Sequence, residues 1–155
     1  MKNVMVIIDE NNSSYDLLIW VLENQKDTIE SSKVFIFAKQ PQISFTPPTV
    51  LSSSLGFAQI FYPFSPNAEL IKLAQEKKMK IALGILEKAK KIYLNHGIKA
   101  ETFTDAGDPK DIIPKIIQER NIDLLVMISD QQTQKLKKCL HNTDCSLLLV
   151  KKRLG

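Results

Sequence analysis

Apolar residues fall into five short runs along the chain, and polar residues close each run. Four runs, at residues 4–8, 34–38, 122–128 and 147–150, are almost continuously apolar, and residues 98–104 alternate loosely. A run without alternation is typical of a strand that is buried on both faces, as in a parallel sheet. The pattern therefore predicts five strands, most of them enclosed between two layers of helices.

The segments between these runs carry helical spacing and helix-boundary signals. A first helix follows Ser13, the predicted N-cap, and continues to about residue 24. Asp108 is the predicted N-cap of a later helix that begins at Pro109. A short helix over residues 133–140 precedes the last strand. Strands that alternate with helices predict a three-layer α/β/α domain with a parallel, doubly wound sheet.

The longest predicted helix covers residues 66–95. It starts at a Ser-Pro pair and stops before Gly97, which are typical start and stop signals. We expect one apolar stripe of this helix to pack against the sheet: Leu70, Leu73, Ala74, Ile81, Ile85, Ala89 and Ile92.

An uncharged segment precedes this helix, and its core is a predicted loop over residues 41–65. Residues 40–68 contain no charged side chain but hold four of the seven phenylalanines and five of the seven prolines. Long loops in compact domains are often functional, so one reading is a lid or a contact surface. The other reading is a loop that packs against the flank of its own domain.

Composition indicates one globular domain over residues 1–155. The mass is 17.6 kDa and 44% of the residues are hydrophobic. No apolar run approaches the roughly 20 residues that cross a bilayer, and the first apolar run is too short for a signal peptide. We therefore expect a cytoplasmic protein without membrane contact.

Charge and cysteine content exclude several functional classes. The net charge of +4 is scattered in short lysine clusters without interleaved aromatic residues, which argues against nucleic-acid binding. The spacing of Cys139 and Cys145 fits no zinc or thioredoxin pattern, so we expect small core residues rather than a redox pair. With only two histidines, we expect no metal site. We also expect no catalytic residues, because no serine, cysteine or threonine has an evident base to activate it.

Four segments together resemble the universal stress protein family, particularly its small plant members. They are the first strand ending at Asp9, the Gly107-Asp108-Pro109 turn, the strand that ends at Met127 and the closing segment 145–150. The resemblance covers nearly the whole chain. It implies a Rossmann-like fold, of the type found in adenine nucleotide alpha hydrolases, with strand order 3-2-1-4-5.

The resemblance also implies a nucleotide site, from which this chain departs. In nucleotide-binding members the aspartate that ends strand one, here Asp9, contacts ribose and adenine. Those members bind phosphates with a glycine-rich loop after strand four, whereas this chain has no glycine between Gly107 and Gly155. The segment is also shorter, and Ile128 and Asp130 stand where the family has room for a nucleotide. Gln131, Gln132, Thr133 and Lys135 remain able to hydrogen-bond a small anion, but we favour a shortened polar connector as the explanation of this segment.

Three functions remain open at this point. The first is a non-catalytic stress-response protein that binds no ATP and no other cofactor and acts through protein contacts. The second is a binder of AMP, adenosine or another planar metabolite in the crevice between strands one and four. Its candidate binding residues are Asp9, Ala38, Lys39, Met127 and Ser129. The third, a weak hydrolase, needs phosphate and metal ligands that the sequence does not supply.

The last strand is the candidate dimer interface. It is apolar on both faces, although strand order places it at the sheet edge, and an exposed apolar edge favours pairing. In the family this strand often lies across the two-fold axis of a homodimer. The resemblance therefore implies a homodimer with an interface formed by Leu147, Leu148, Leu149 and Val150.

Overall fold

The computed structural model describes residues 1–41, 66–141 and 143–151. These ranges contain five strands and five helices. In chain order they are β1 (Asn3–Ile8), α1 (Asn12–Asn24), α2 (Lys26–Glu30), β2 (Lys33–Lys39), α3 (Pro66–Asn95), β3 (Glu101–Asp105), α4 (Pro109–Arg120), β4 (Leu124–Ser129), α5 (Gln131–Cys139) and β5 (Ser146–Lys151). Apart from Pro41, the predicted loop over residues 41–65 lies outside the described residues.

The five strands form one parallel sheet in the order β3-β2-β1-β4-β5. β1 lies at the centre, where Val4 pairs with Val34 of β2 on one side and with Leu124 of β4 on the other. This topology confirms the predicted α/β class and strand order. It also places β5 at an edge of the sheet, as predicted.

Two hydrophobic clusters cover the two faces of the sheet. Val4, Val6 and Ile8 face a cluster with α1 and α3, whereas Met5 and Ile7 face a cluster with α4 and α5. Successive strand residues point to opposite faces, and both faces are covered by helices, which explains the unbroken apolar runs. The result is the three-layer arrangement that the sequence predicts.

The start of α1 differs from the prediction. The helix begins at Asn12 with Asn11 as its N-cap residue, so the assignment of Ser13 as the cap is wrong. Ser14 instead turns its hydroxyl toward the end of β1, where it hydrogen-bonds Asp9. α2 was not predicted, and β3 begins at Glu101 rather than at residue 98.

α3 has its predicted bounds, but only the second half of its predicted stripe packs against the core, where Ala89 is buried and Ile85 and Ile92 are partly buried. Leu70 and Leu73 are 44% and 60% exposed, and within α3 no described residue before Ala82 is buried. The buried face is formed in the second half of the helix by Ala82, Leu86, Ala89 and Tyr93. The reason is length, since a helix of 30 residues spans about 45 Å and a six-residue strand only about 20 Å. The first half of α3 therefore extends past the sheet.

Candidate functional site

A crevice opens where β1 and β4 end side by side. The connections leave these two neighbouring strands in opposite directions, which is the usual position of ligand sites in doubly wound sheets. We call it the switch-point crevice. It contains an inner cavity of about 200 Å³ and an outer cavity of about 770 Å³, and both are lined by Lys39, Asp108, Pro109 and Gln132.

Asp9 lies in the outer cavity, but its carboxylate is engaged by its own loop. Oδ1 accepts hydrogen bonds from the Asn11 backbone N–H and the Ser14 hydroxyl, both at 2.9 Å. Ser14 Oγ in turn accepts the Asp9 backbone N–H at 2.8 Å. Oδ2 lies 3.9 Å from Lys39 Nζ, and the two side chains are only 26% and 16% exposed. These contacts order the turn between β1 and α1, so both carboxylate oxygens have partners within the chain.

The other predicted binding residues are not all at the crevice. Lys39 lines both cavities, and Met127 lines the inner one. Ala38 is fully buried in the cluster with α1 and α3, and its carbonyl accepts the Thr104 hydroxyl at 2.7 Å. Ser129 lines neither cavity and ends β4 in register with Lys151 of β5.

The segment after β4 is a capped helix start rather than a connector. α5 begins at Gln131, two residues earlier than predicted, and Asp130 is its N-cap. Asp130 Oδ1 accepts the Thr133 N–H at 2.8 Å, and Thr133 Oγ1 accepts the Asp130 N–H at 2.8 Å. This reciprocal pair is a capping box. A carboxylate therefore occupies the helix terminus where a bound phosphate would otherwise be favoured.

The loop between β3 and α4 forms another wall of the crevice. Asp108 is the N-cap of α4, as predicted, because its Oδ1 accepts the Lys110 N–H at 3.0 Å. A Cβ at Gly107 would lie 2.6 Å from Ile112 Cδ1, so a larger residue there would require the Ile112 side chain to shift. The sequence reasoning missed Asp108 and Lys110 as crevice residues. The carboxyl ends of all parallel strands share one edge, and this rule could have placed the β3–α4 loop there.

The two cavities carry opposite charge. The inner cavity has a net positive charge, because its ionisable residues are one carboxylate, Asp108, and three lysines: Lys39, Lys110 and Lys135. The outer cavity has a net negative charge, because two lysines, Lys39 and Lys78, face four carboxylates: Asp9, Glu10, Asp105 and Asp108. Among the described residues, no three His, Cys, Asp or Glu side chains are grouped to hold a metal ion.

Comparison with known proteins identifies the family. A sequence model of the universal stress protein family matches residues 1–151. The chain belongs to the universal stress protein family. No curated protein matches it in sequence.

Solved structures of other universal stress proteins share the fold. A protein from Arabidopsis thaliana with AMP bound is 17% identical with a TM-score of 0.64, over 99% of this chain and 93% of that chain. A universal stress protein from Archaeoglobus fulgidus is 13% identical with a TM-score of 0.60, over 97% and 94% of the two chains. A third, in complex with cAMP, is 18% identical with a TM-score of 0.57, over 98% of each chain. At these identities the likeness concerns the fold alone.

The two cysteines of this universal stress protein lie at the end of the sheet opposite the crevice. Both line a groove between α4 and the segment that leads into β5. Cys139 is exposed, so the prediction that it is a core residue is wrong, whereas Cys145 is half-buried against the α4 and α5 cluster. Burial, reinforced by the negative charge of Asp123, raises the pKa of Cys145 to about 11 although a Leu125 backbone hydrogen bond lowers it. Both thiols are free, and that of Cys145 is protonated at neutral pH.

β5 forms one edge of the sheet in this universal stress protein. Among the described residues it pairs with β4 alone, and Leu147, Leu148 and Leu149 are half-buried whereas Val150 is buried. Leu148 packs against the cluster with α1 and α3, and Leu147 and Leu149 pack against the opposite cluster. The dimer interface expected along this strand stays a prediction. None of the helices in the described ranges has the length and apolar character needed to span a bilayer.

Proposed function

We propose that this universal stress protein acts in the stress response without binding ATP and without catalysis. In this proposal it works as a homodimer through protein contacts. The observation that carries the proposal is the capping box of Asp130 and Thr133, which closes the first turn of α5 beside the crevice.

Three features of the crevice support the absence of ATP binding. The carboxylate of Asp130 would repel a triphosphate at the end of β4, where helix N–H groups could otherwise receive it. The chain has no glycine from residue 108 to residue 154, so no glycine there allows the backbone to wrap closely around phosphates. Both oxygens of Asp9 are engaged within the chain, which leaves its carboxylate poorly placed to bind a ribose.

Calorimetric titration tests this part of the proposal. The purified protein is titrated with ATP, AMP and adenosine, each with and without magnesium. We expect no saturable heat from ATP at micromolar protein. A magnesium-dependent ATP isotherm with micromolar affinity would overturn the proposal.

The edge position of β5 supports the homodimer. Half-buried leucines along a strand that pairs with β4 on one side only leave apolar surface and backbone hydrogen-bonding groups that a second copy would cover. A C2 dimer pairs this strand with its twin. Light scattering should give twice 17.6 kDa at tens of micromolar protein.

A matched pair of variants locates this interface. Leu148→Lys should return the mass to that of one chain, with the circular dichroism spectrum retained. Leu94→Lys places the same charge on an exposed leucine of α3 and should leave the dimer intact. A single-chain mass for the unmodified protein would refute the dimer, and an unchanged mass in Leu148→Lys would refute the interface.

Cytoplasmic localisation, plant-type character and the absence of nucleic-acid and membrane partners belong to the same proposal. The two free cysteines are consistent with a reducing compartment. The scattered lysines, many of them at exposed helix positions, do not form the basic stripe that nucleic acids require.

A second candidate function is the binding of AMP, adenosine or another planar metabolite in the crevice. The inner cavity favours it, because Met127 offers an apolar wall and Lys39 a cation next to it. The Arabidopsis relative has AMP bound, and another relative is in complex with cAMP. In the same titration, binding of AMP or adenosine without binding of ATP would favour this second function.

A further inference from the structure

The inner cavity combines an apolar floor with a cationic rim. Three residues of the floor, Ile7, Met127 and Leu136, are at most 5% exposed, yet their side chains line the cavity. Lys110 and Lys135 line the same cavity from exposed positions in α4 and α5. Gln132 and Thr133 add polar groups to the lining and Asp108 adds one carboxylate. An apolar floor therefore lies beside a rim with a net positive charge, which suits an amphipathic anion.

The lysines of the inner cavity outnumber its carboxylates, since Asp108 is the one acidic residue among the lining residues. Lys39 is paired with Asp9, whereas Lys110 and Lys135 form no ion pair with another described residue. Lys110 is the second residue of α4, where the positive end of the helix dipole disfavours a cation. Helix stability therefore does not account for this lysine. An anion bound between the two rim lysines would account for its position.

We propose that the inner cavity binds a small organic anion. Its compact apolar body packs against Ile7, Met127 and Leu136, and its carboxylate or phosphate monoester lies between Lys110 and Lys135. The volume of about 200 Å³ limits the body, because pockets for drug-sized ligands hold about 300–1,000 Å³. This inference rests on the second candidate function, in which the crevice binds a small molecule, and it names the chemistry of that molecule.

Three matched probes test the charge requirement by calorimetry: 1-naphthoate, 1-naphthyl phosphate and the neutral 1-naphthalenemethanol. We expect at least one anion to bind about tenfold more tightly than the neutral probe, and the anion that binds best identifies the headgroup. Affinity should fall as salt is raised, because the rim is exposed. Equal binding of the neutral probe would overturn the proposal.

Paired variants locate the site. Lys110→Gln combined with Lys135→Gln should lose about tenfold in anion affinity and leave the neutral probe unaffected, since each exposed pair contributes up to about fivefold. Lys115→Gln combined with Lys137→Gln removes two lysines from the same helices outside this cavity and should change nothing. An equal loss of anion affinity in both double variants would overturn the assignment of the anion to the two rim lysines.

AMP and adenosine, titrated in the same series, separate the inference from the function on which it rests. Binding of adenosine or AMP without binding of either naphthyl anion overturns the anion site and keeps the second function. No binding of any probe or nucleotide overturns both. Binding of a naphthyl anion that AMP displaces supports both.

Discussion

Replacing Asp130 by alanine should destabilise the protein by removing half of the capping box. The substitution deletes the acceptor of the Thr133 N–H, a bond of 2.8 Å, but leaves the Thr133 hydroxyl in place for the Asp130 N–H. Loss of an N-cap side chain costs about 1 kcal/mol. Loss of a negative charge at the helix N-terminus adds about 0.5 kcal/mol. We expect a decrease of about 1.5 kcal/mol in the free energy of unfolding.

Urea denaturation followed by circular dichroism measures this loss. With a slope of about 2 kcal/mol per molar urea, the midpoint should fall by about 0.7 M. Asp130→Asn keeps an acceptor for the cap and removes only the charge, so its midpoint should fall by about 0.25 M. Asp16→Ala, an exposed aspartate within α1, should stay within about 0.25 M of the unmodified protein.

Two results would refute this account of the helix start. An unchanged midpoint in Asp130→Ala would mean that the cap does not hold α5. Equal losses in the alanine and asparagine variants would mean that charge, and not the hydrogen bond to Thr133, is what stabilises the turn.

Three further predictions concern ATP binding, the cap of α4 and the Cys145 thiol. Ile128→Gly should not create micromolar ATP binding by calorimetry, because Asp130 still caps α5; a micromolar isotherm would contradict this. Asp108→Ala should lower the free energy of unfolding by about 1 kcal/mol through loss of the α4 cap, and an unchanged urea midpoint would exclude that role. The raised pKa of Cys145 means that folding favours its protonated thiol. The difference in unfolding free energy between the unmodified protein and Cys145→Ser should therefore be constant below pH 9 and fall as the pH approaches 11. A difference that does not change with pH would contradict the raised pKa.

The sheet could be predicted from the sequence because its physical signals are local. A strand covered on both faces needs apolar residues at every position, so the cores of β1 and β2 stand out as continuous runs. The bounds of α3 could also be predicted, because Gly97 adopts a φ of 78° that other residues avoid. Local chemistry fixes where these elements begin and end.

The exposure of the first half of α3 could not be predicted, because it depends on how far the sheet reaches. Leu70 and Leu73 have the spacing of a core stripe, but they lie on turns beyond the sheet. Only the second half of the helix meets it, and there Leu86 and Tyr93 define the buried side. Spacing alone does not reveal which turns have a partner.

The roles of polar residues at the crevice also depended on three-dimensional geometry. Asp9 has the same place in the sequence whether it binds a ligand or orders a turn, and its bonds to Asn11 and Ser14 favour the second role. The sequence places Asp130 where the family has room for a nucleotide, but its partnership with Thr133 depends on where α5 begins. Three polar residues in succession after Asn11 likewise left the α1 cap ambiguous.

The central position of β1 has a consequence for how the chain folds during synthesis. β1 leaves the ribosome first and acquires β2 within 40 residues, but its other edge pairs with β4, where Val4 meets Leu124. At about 5–20 residues per second, that edge stays unpaired for roughly 5–20 s after β2 has emerged. An apolar strand with an open edge is then available to a neighbouring nascent chain. Translation speed and chaperone capture during this interval should therefore influence the yield of folded protein.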